Sequence, residues 1–174
     1  MAKTQEEGAQ KCPLSLPKGW MFLGATNEFT EQHNGYEMEP MLRQHMLTGD
    51  YSLVNPEGRT LEGHVVVERK AFPDMLGCIS SSRERWEANL DRLSRIESPH
   101  IVVEGSWTEI LRGNYEHTRV NPNAVAGSIL SWSYRYGVSI WFADTRRQGK
   151  LMTRWILTKA AIDIEAGKPR VRRA

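Results

Sequence analysis

A chain of 174 residues, 40% hydrophobic and 25% charged, has the composition of one globular domain. Its formal net charge of +2 is too small to mark a polyanion-binding protein by itself, so that argument must rest on where the bases stand. Cys12 and Cys78 lack CxxC spacing, which speaks against a disulfide framework or a zinc site; MAKTQEEGAQ has no apolar core for a signal peptide, and no run of about 18 apolar residues could span a membrane, so a cytoplasmic location is expected.

Residues 1–19 are polar, carry Gly8, Pro13, Pro17 and Gly19, and read as a flexible lead-in. With no internal repeat and no low-complexity linker, residues 20–167 form the expected single domain, and KPRVRRA (168–174) a basic tail. From residue 41, MLRQHMLT alternates apolar Leu42 and Met46 with polar Arg43 and His45, a strand pattern. GDYSLV (49–54) continues as a second strand. The turn residues of NPEGRTLEG then lead into a third, VVVERK (65–70). The expectation is an antiparallel meander.

Helices follow. Trp86, Leu90, Leu93 and Ile96 define one face of a helix over 82–97, and its other face carries Arg83, Arg85, Arg92 and Arg95. HIVVEG (100–105) is a short buried strand, and Ser106 with Glu109 forms an S-x-x-E capping box. Asn121-Pro122 opens a helix whose inner face is Val125, Ile129, Trp132 and Tyr136, and which stops at Gly137. VSIWFA (138–143) is another strand, and a last helix runs from about residue 147 to Gly167. Trp132, Trp141 and Trp155 take core-like positions, and the five histidines show no metal-binding spacing. Strands first, then strands alternating with helices, give a mixed α/β sheet flanked by helices.

The stretch VVVERKAFPD (65–74) carries the chemistry. Hydrolysing a phosphodiester calls for a metal ion that polarises phosphoryl oxygens and acidifies a water. Mg²⁺ takes one or two protein carboxylates and keeps several waters. If 50–54 and 63–69 pair, Asp50 and Glu68 converge at one sheet edge, and Lys70, two residues beyond Glu68, points to the same face. Taken in isolation, Glu68 and Lys70 would read as no more than a cross-strand ion pair.

GDYSL (49–53), VVVERK (65–70) and Asp74, in that order, resemble the nuclease domain of the XPF-like structure-specific endonucleases, of the PD-(D/E)XK (restriction-endonuclease-like) fold. RERWEANLDRL (83–93) is similar to the family's Arg-rich helix and HIVVEGSW (100–107) to its next strand, so the resemblance covers roughly residues 38–145. It implies Asp50 and Glu68 as ligands of Mg²⁺ or Mn²⁺, joined by the Arg69 carbonyl, and Lys70 as the group that orients water or stabilises charge. Asp74 would support the site through a water or by holding Arg69. Tyr51 would pack, and Glu104 would stand near the site in a structural role.

The resemblance further implies a metal-dependent endonuclease acting on branched DNA in repair or recombination, in a compact bacterial or phage form. Such a protein would work at the nucleoid or in the host cytoplasm. Arg83, the better candidate for a phosphate contact, and Arg85 would flank the site. Lys168, Arg170, Arg172 and Arg173 suit non-specific phosphate binding. The C-terminal helices suggest a homodimer or a partner subunit, the more so because the family's helix-hairpin-helix module is not seen. One motif departs from the family: no aspartate occurs between residues 1 and 49, where V-D-x-R-E is usual, and Glu28, Glu37 and Glu39 stay open as substitutes. A nuclease-inactive DNA-binding subunit of the same fold, or a different PD-(D/E)XK nuclease, is the alternative.

Overall fold

Val65, Val66 and Val67 are each at most 1% exposed, because their strand is covered on both faces. The computed structural model describes residues 12–113, 115 and 120–168. The strands are β1 (Met21–Ala25), β2 (Met41–Gln44), β3 (Tyr51–Val54), β4 (Val65–Ala71), β5 (Ser98–Glu104) and β6 (Ser139–Phe142), and they lie in one sheet in the order β2-β1-β3-β4-β5-β6. The helices are α1 (Phe72–Ile79), α2 (Arg83–Ser94), α3 (Trp107–Arg112), α4 (Pro122–Tyr136) and α5 (Arg146–Glu165), with a 3-10 turn at Thr26–Phe29.

Helices α1, α2 and α4 cover one face of the sheet, burying Met75, Trp86, Leu90 and Trp132 with Leu23, Val66 and Ile101. Helix α5 covers the other, burying Leu157 and Ala161 with Phe22, Tyr51, Leu53, Val65, Val67 and Val102. The alternation along β4 therefore assigns Val66, Glu68 and Lys70 to the α1–α2 face and Val67 and Arg69 to the α5 face. Strands β4, β5 and β6 run parallel, with α1–α2 and α3–α4 as crossovers.

The end signals read from the sequence are in place. Ser106 and Glu109 form both halves of the capping box. Asn121 accepts from the Asn123 N–H at the start of α4, and Gly137 stops that helix with φ 64°. No helix among the described residues is long and apolar enough to cross a membrane.

Three expectations need correction. The segment from residue 41 is a strand only to Gln44, and it pairs in parallel with β1 at the sheet edge rather than antiparallel with β3. The apolar run MFLGA, which forms β1, inserts between them and pairs antiparallel with β3. The crossover through residues 26–40 makes the parallel pairing possible, because parallel neighbours need a long connection. The antiparallel pairing of β3 with β4 is as expected. Helix α1, a separate element with Pro73 in its first turn, fills what the sequence left unassigned before α2. Trp141, expected in the core, is 40% exposed because β6 is an edge strand.

Candidate active site

The site begins at a backbone constraint. Gly49 has φ +77°, and a Cβ there would stand 3.0 Å from Cβ of Val66, so both conformation and space favour glycine. The turn it permits sets Asp50 between two strands. The Asp50 N–H donates to the Val67 carbonyl at 2.9 Å, and its carbonyl accepts from the Ala25 N–H at 2.8 Å. Its Oδ2 accepts from the Arg69 N–H at 2.7 Å.

Glu68 and Lys70 stand on the same sheet face, with Nζ of Lys70 3.1 Å from Oε1 of Glu68. Their side chains are 12% and 16% exposed, shielded enough for the pair to be more than a surface contact. Nζ of Lys70 also lies 4.4 Å from the ring centroid of Trp86, a cation–π contact that fixes it from below. Burial pushes the Asp50 carboxyl well above the ordinary carboxylate range, and the charges of Glu68 and Glu28 add to the shift. Burial opposes the Lys70 ammonium, but Glu68, Cys78 and Asp50 outweigh it and hold its pKa above the usual lysine value.

Two hard carboxylates held together in this way fit a divalent cation, whose charge would relieve their repulsion. Among the described residues no cluster of three or more His, Cys, Asp or Glu could hold a metal ion. Asp50 and Glu68 are therefore a sparse pair of carboxylates, of the kind Mg²⁺ accepts while keeping its waters.

On the opposite face, Arg69 is locked in a buried ion network. Its Nε and Nη2 reach the two oxygens of Glu104 at 2.7 and 3.3 Å, and Nη1 reaches the His33 carbonyl at 3.1 Å and Glu28 at 3.4 Å. Glu104 also accepts from the Tyr36 hydroxyl and lies 3.5 Å from Arg146. Burial raises the Glu104 pKa, but the bonds from Arg69 and Tyr36 override it and leave it lowered. Tyr36 stacks on Tyr51, with ring centroids 5.3 Å apart, and its N–H donates to the Tyr51 hydroxyl. Tyr51 thus packs in the core as the resemblance implied, and Glu104 is engaged by Arg69, Tyr36 and Arg146.

Asp74 is exposed in the first turn of α1 and does not hold Arg69. The reason is geometric: Arg69 points to the α5 face and α1 packs on the other. Of the three upstream acids, the fold brings only Glu28 inward, 6% exposed, while Glu37 pairs with Arg43 at the surface and Glu39 is exposed. Arg83 is turned towards α4, bonded to Glu87 and Ser128 at 3.0 and 3.1 Å and lying over the Trp132 ring. Arg85 does face the site, lining a cleft of about 220 Å³ with Glu68, Lys70, Cys78, Ser82, Trp86, Asn89 and Arg92. From the sequence Arg92 reads only as part of the helix's polar face and Asn89 does not stand out, although their i+7 and i+4 spacing from Arg85 signals a shared face. Lys168 pairs with Asp163 at 3.2 Å, and Arg170, Arg172 and Arg173 lie outside the described residues.

Comparison with known proteins agrees with this geometry. The ERCC4 domain family model matches residues 31–151. The fold is similar to that of XPF from Aeropyrum pernix, with a TM-score of 0.57 and 15% identity over 85% of this chain and 66% of that one. It is also similar to XPF from Aeropyrum pernix in complex with DNA, with a TM-score of 0.51 and 15% identity over 88% of this chain and 68% of that one. The chain therefore spans about two thirds of the length of those structures. No curated protein matches it in sequence. A motif order, a sheet with the site on β3 and β4, and a family match over most of the chain lead to one assignment: this protein belongs to the ERCC4 domain family, the XPF-type nuclease domain with a restriction-endonuclease-like fold.

Proposed function

We propose that the protein is a divalent-metal-dependent endonuclease that hydrolyses backbone phosphodiesters in branched DNA, such as forks, flaps or junctions arising in repair or recombination. The observation that carries this reading is the placement of Asp50, Glu68 and Lys70 together at the start of β3 and the end of β4, with Asp50 tied to β4 through the Arg69 N–H. Asp50, Glu68 and the Arg69 carbonyl are the groups that would hold Mg²⁺ or Mn²⁺. When bound, the ion supplies Lewis-acid polarisation of the phosphoryl oxygen and a more acidic water.

Lys70, fixed between Glu68 and the Trp86 ring, is placed to orient that water and to stabilise charge developing on the phosphate. Glu28, paired with Arg69 on the opposite face, adds negative charge that raises the pKa of Asp50. The Arg69 network keeps the strand between the two acids from shifting. No base-reading element is evident among the described residues, which supports recognition by phosphate position and DNA shape. The apolar surface of Trp141 and Ile164, 40% and 42% exposed, supports self-association through β6 and α5.

The test is cleavage of labelled fork, flap, junction and plain duplex DNA by wild type and Glu68→Gln, with Mg²⁺, Mn²⁺ or EDTA. Metal-dependent cutting of branched DNA, lost in the variant, is the expected result. Binding without cutting would favour the nuclease-inactive alternative, and sequence-specific cutting of plain duplex would favour a different PD-(D/E)XK nuclease.

A further inference from the structure

Helix α2 carries three arginines, its C-cap Arg95 is a fourth, and they divide into two kinds. Arg83 and Arg95 are neutralised within the helix by an acid four residues away, Glu87 at 3.0 Å and Asp91 at 2.5 Å. Arg85 and Arg92 have no such acid. The positions four residues to either side are Ser81 and Asn89 for Arg85, and Ala88 and Ile96 for Arg92. Neither guanidinium makes an ion pair with an acid among the described residues; Arg92 donates to Oδ1 of Asn89 at 3.0 Å. These two unneutralised arginines, seven residues and about two turns apart, are the ones that line the cleft beside Glu68 and Lys70.

The cleft holds three cations, Lys70, Arg85 and Arg92, against the single carboxylate of Glu68, which Lys70 already engages. Because Asn89 uses its carbonyl oxygen on Arg92, its amide N–H groups remain as donors, and the Ser82 hydroxyl adds another. Trp86 adds an apolar surface to the cleft, with Nζ of Lys70 over its ring. A concave site lined by unneutralised guanidinium groups and neutral donors suits a phosphate group. Its volume of about 220 Å³ admits part of one strand, not a duplex.

We infer that this cleft binds the backbone phosphate adjacent to the scissile one in the same DNA strand, with Arg85 and Arg92 as its charged ligands and Asn89 and Ser82 as neutral donors. The inference rests on the function proposed above and deepens it. It assigns the strand's path away from the catalytic edge along α2, and makes Arg92 a substrate-binding residue.

The experiment compares wild type, Arg85→Ala, Arg92→Ala, the double variant and Arg95→Ala as control, with folding checked by circular dichroism. Binding of a labelled DNA fork is followed by fluorescence anisotropy in EDTA across a KCl series, and single-turnover cleavage is followed with Mg²⁺. Each cleft substitution is expected to lower the slope of log K against log salt by about one, since each contacts one phosphate. Arg95→Ala should leave the slope unchanged. A neutral methylphosphonate placed one linkage from the mapped cut site should weaken wild type but cause no further loss in the double variant. If wild type cuts DNA while the cleft variants keep its salt slope, or if the methylphosphonate penalty persists undiminished in the double variant, the inference is overturned and the nuclease assignment stands. If wild type neither binds nor cuts DNA, the proposed function falls and takes the inference with it.

Discussion

The backbone N–H of Arg69 lies 2.7 Å from Oδ2 of Asp50, so the residue between Glu68 and Lys70 in sequence holds the acid that faces them both. An asparagine at position 50 could still accept that hydrogen bond through its side-chain oxygen. It would carry no charge against Glu68 and Glu28, whose repulsion, after burial, helps to push the Asp50 carboxyl up. A carboxyl whose pKa rises on folding costs stability at neutral pH, where the unfolded chain's carboxyl is ionised. Asp50→Asn should therefore melt no lower than wild type in EDTA and yet lose cleavage. Wild type should gain stability on adding Mg²⁺, about 2.7 kcal/mol at a hundredfold excess over Kd, and the variant should not. Thermal denaturation with and without Mg²⁺ checks both.

Arg69 is held on its other side by the two oxygens of Glu104, with Glu28 nearby, and these three side chains are 8–13% exposed. Removing the cation leaves shielded carboxylates unpaired. Arg69→Met is expected to cost about 3–5 kcal/mol, read by urea denaturation. Arg69→Lys should recover only part of that loss, because an ammonium cannot reproduce the two-pronged contact. A lysine variant as stable as wild type would show that charge alone matters.

Gly49 and Gly58 share nearly the same φ, +77° and +76°, but a Cβ at Gly58 meets nothing within 4 Å. Alanine at either position should cost roughly 1–2 kcal/mol for the left-handed conformation. Only Gly49→Ala also presses on Val66 and displaces the neighbouring Asp50. Cleavage should fall sharply in Gly49→Ala and stay near wild type in Gly58→Ala, measured at matched fractions folded.

Arg83 contacts Glu87, Ser128 and the Trp132 ring, all protein groups that join α2 to α4. Arg83→Ala should lower stability by about 1 kcal/mol and leave the salt dependence of DNA binding as it was. A drop of about one in the salt slope would instead return Arg83 to the DNA interface.

Much of this was legible in the sequence. A period of two along VVVERK already puts Glu68 and Lys70 on one face, and the caps at Ser106 and Asn121 mark α3 and α4 through local chemistry alone. Position in the sheet was not legible. The pairing of β2 with β1 depends on a crossover through residues 26–40, and no local pattern announces which strand lies at an edge. The same blindness left Glu28 indistinguishable from Glu37 and Glu39, because its approach to Asp50 is a tertiary event, and it misplaced Trp141. Nor does the sequence show that Arg83, though its side chain is 43% exposed, reaches across to Ser128 and the Trp132 ring of α4.

Helix α5 contributes no acid to the catalytic edge, yet its first residue, Arg146, hydrogen-bonds the carbonyls of Asn34 and Gly35 and pairs with Glu104. One turn on, Gly149 packs so closely that a Cβ would stand 2.3 Å from the Tyr36 hydroxyl. The loop that supplies Glu28 is thus fastened by a segment more than 100 residues later. On the ribosome, Asp50, Glu68 and Lys70 emerge well before that fastener exists. A nuclease built this way would gain competence to cut only once α5 has been made, a delay that would spare nucleic acid from a half-made enzyme. In refolding, protection of the Tyr36 amide from hydrogen exchange and the onset of cleavage should appear together.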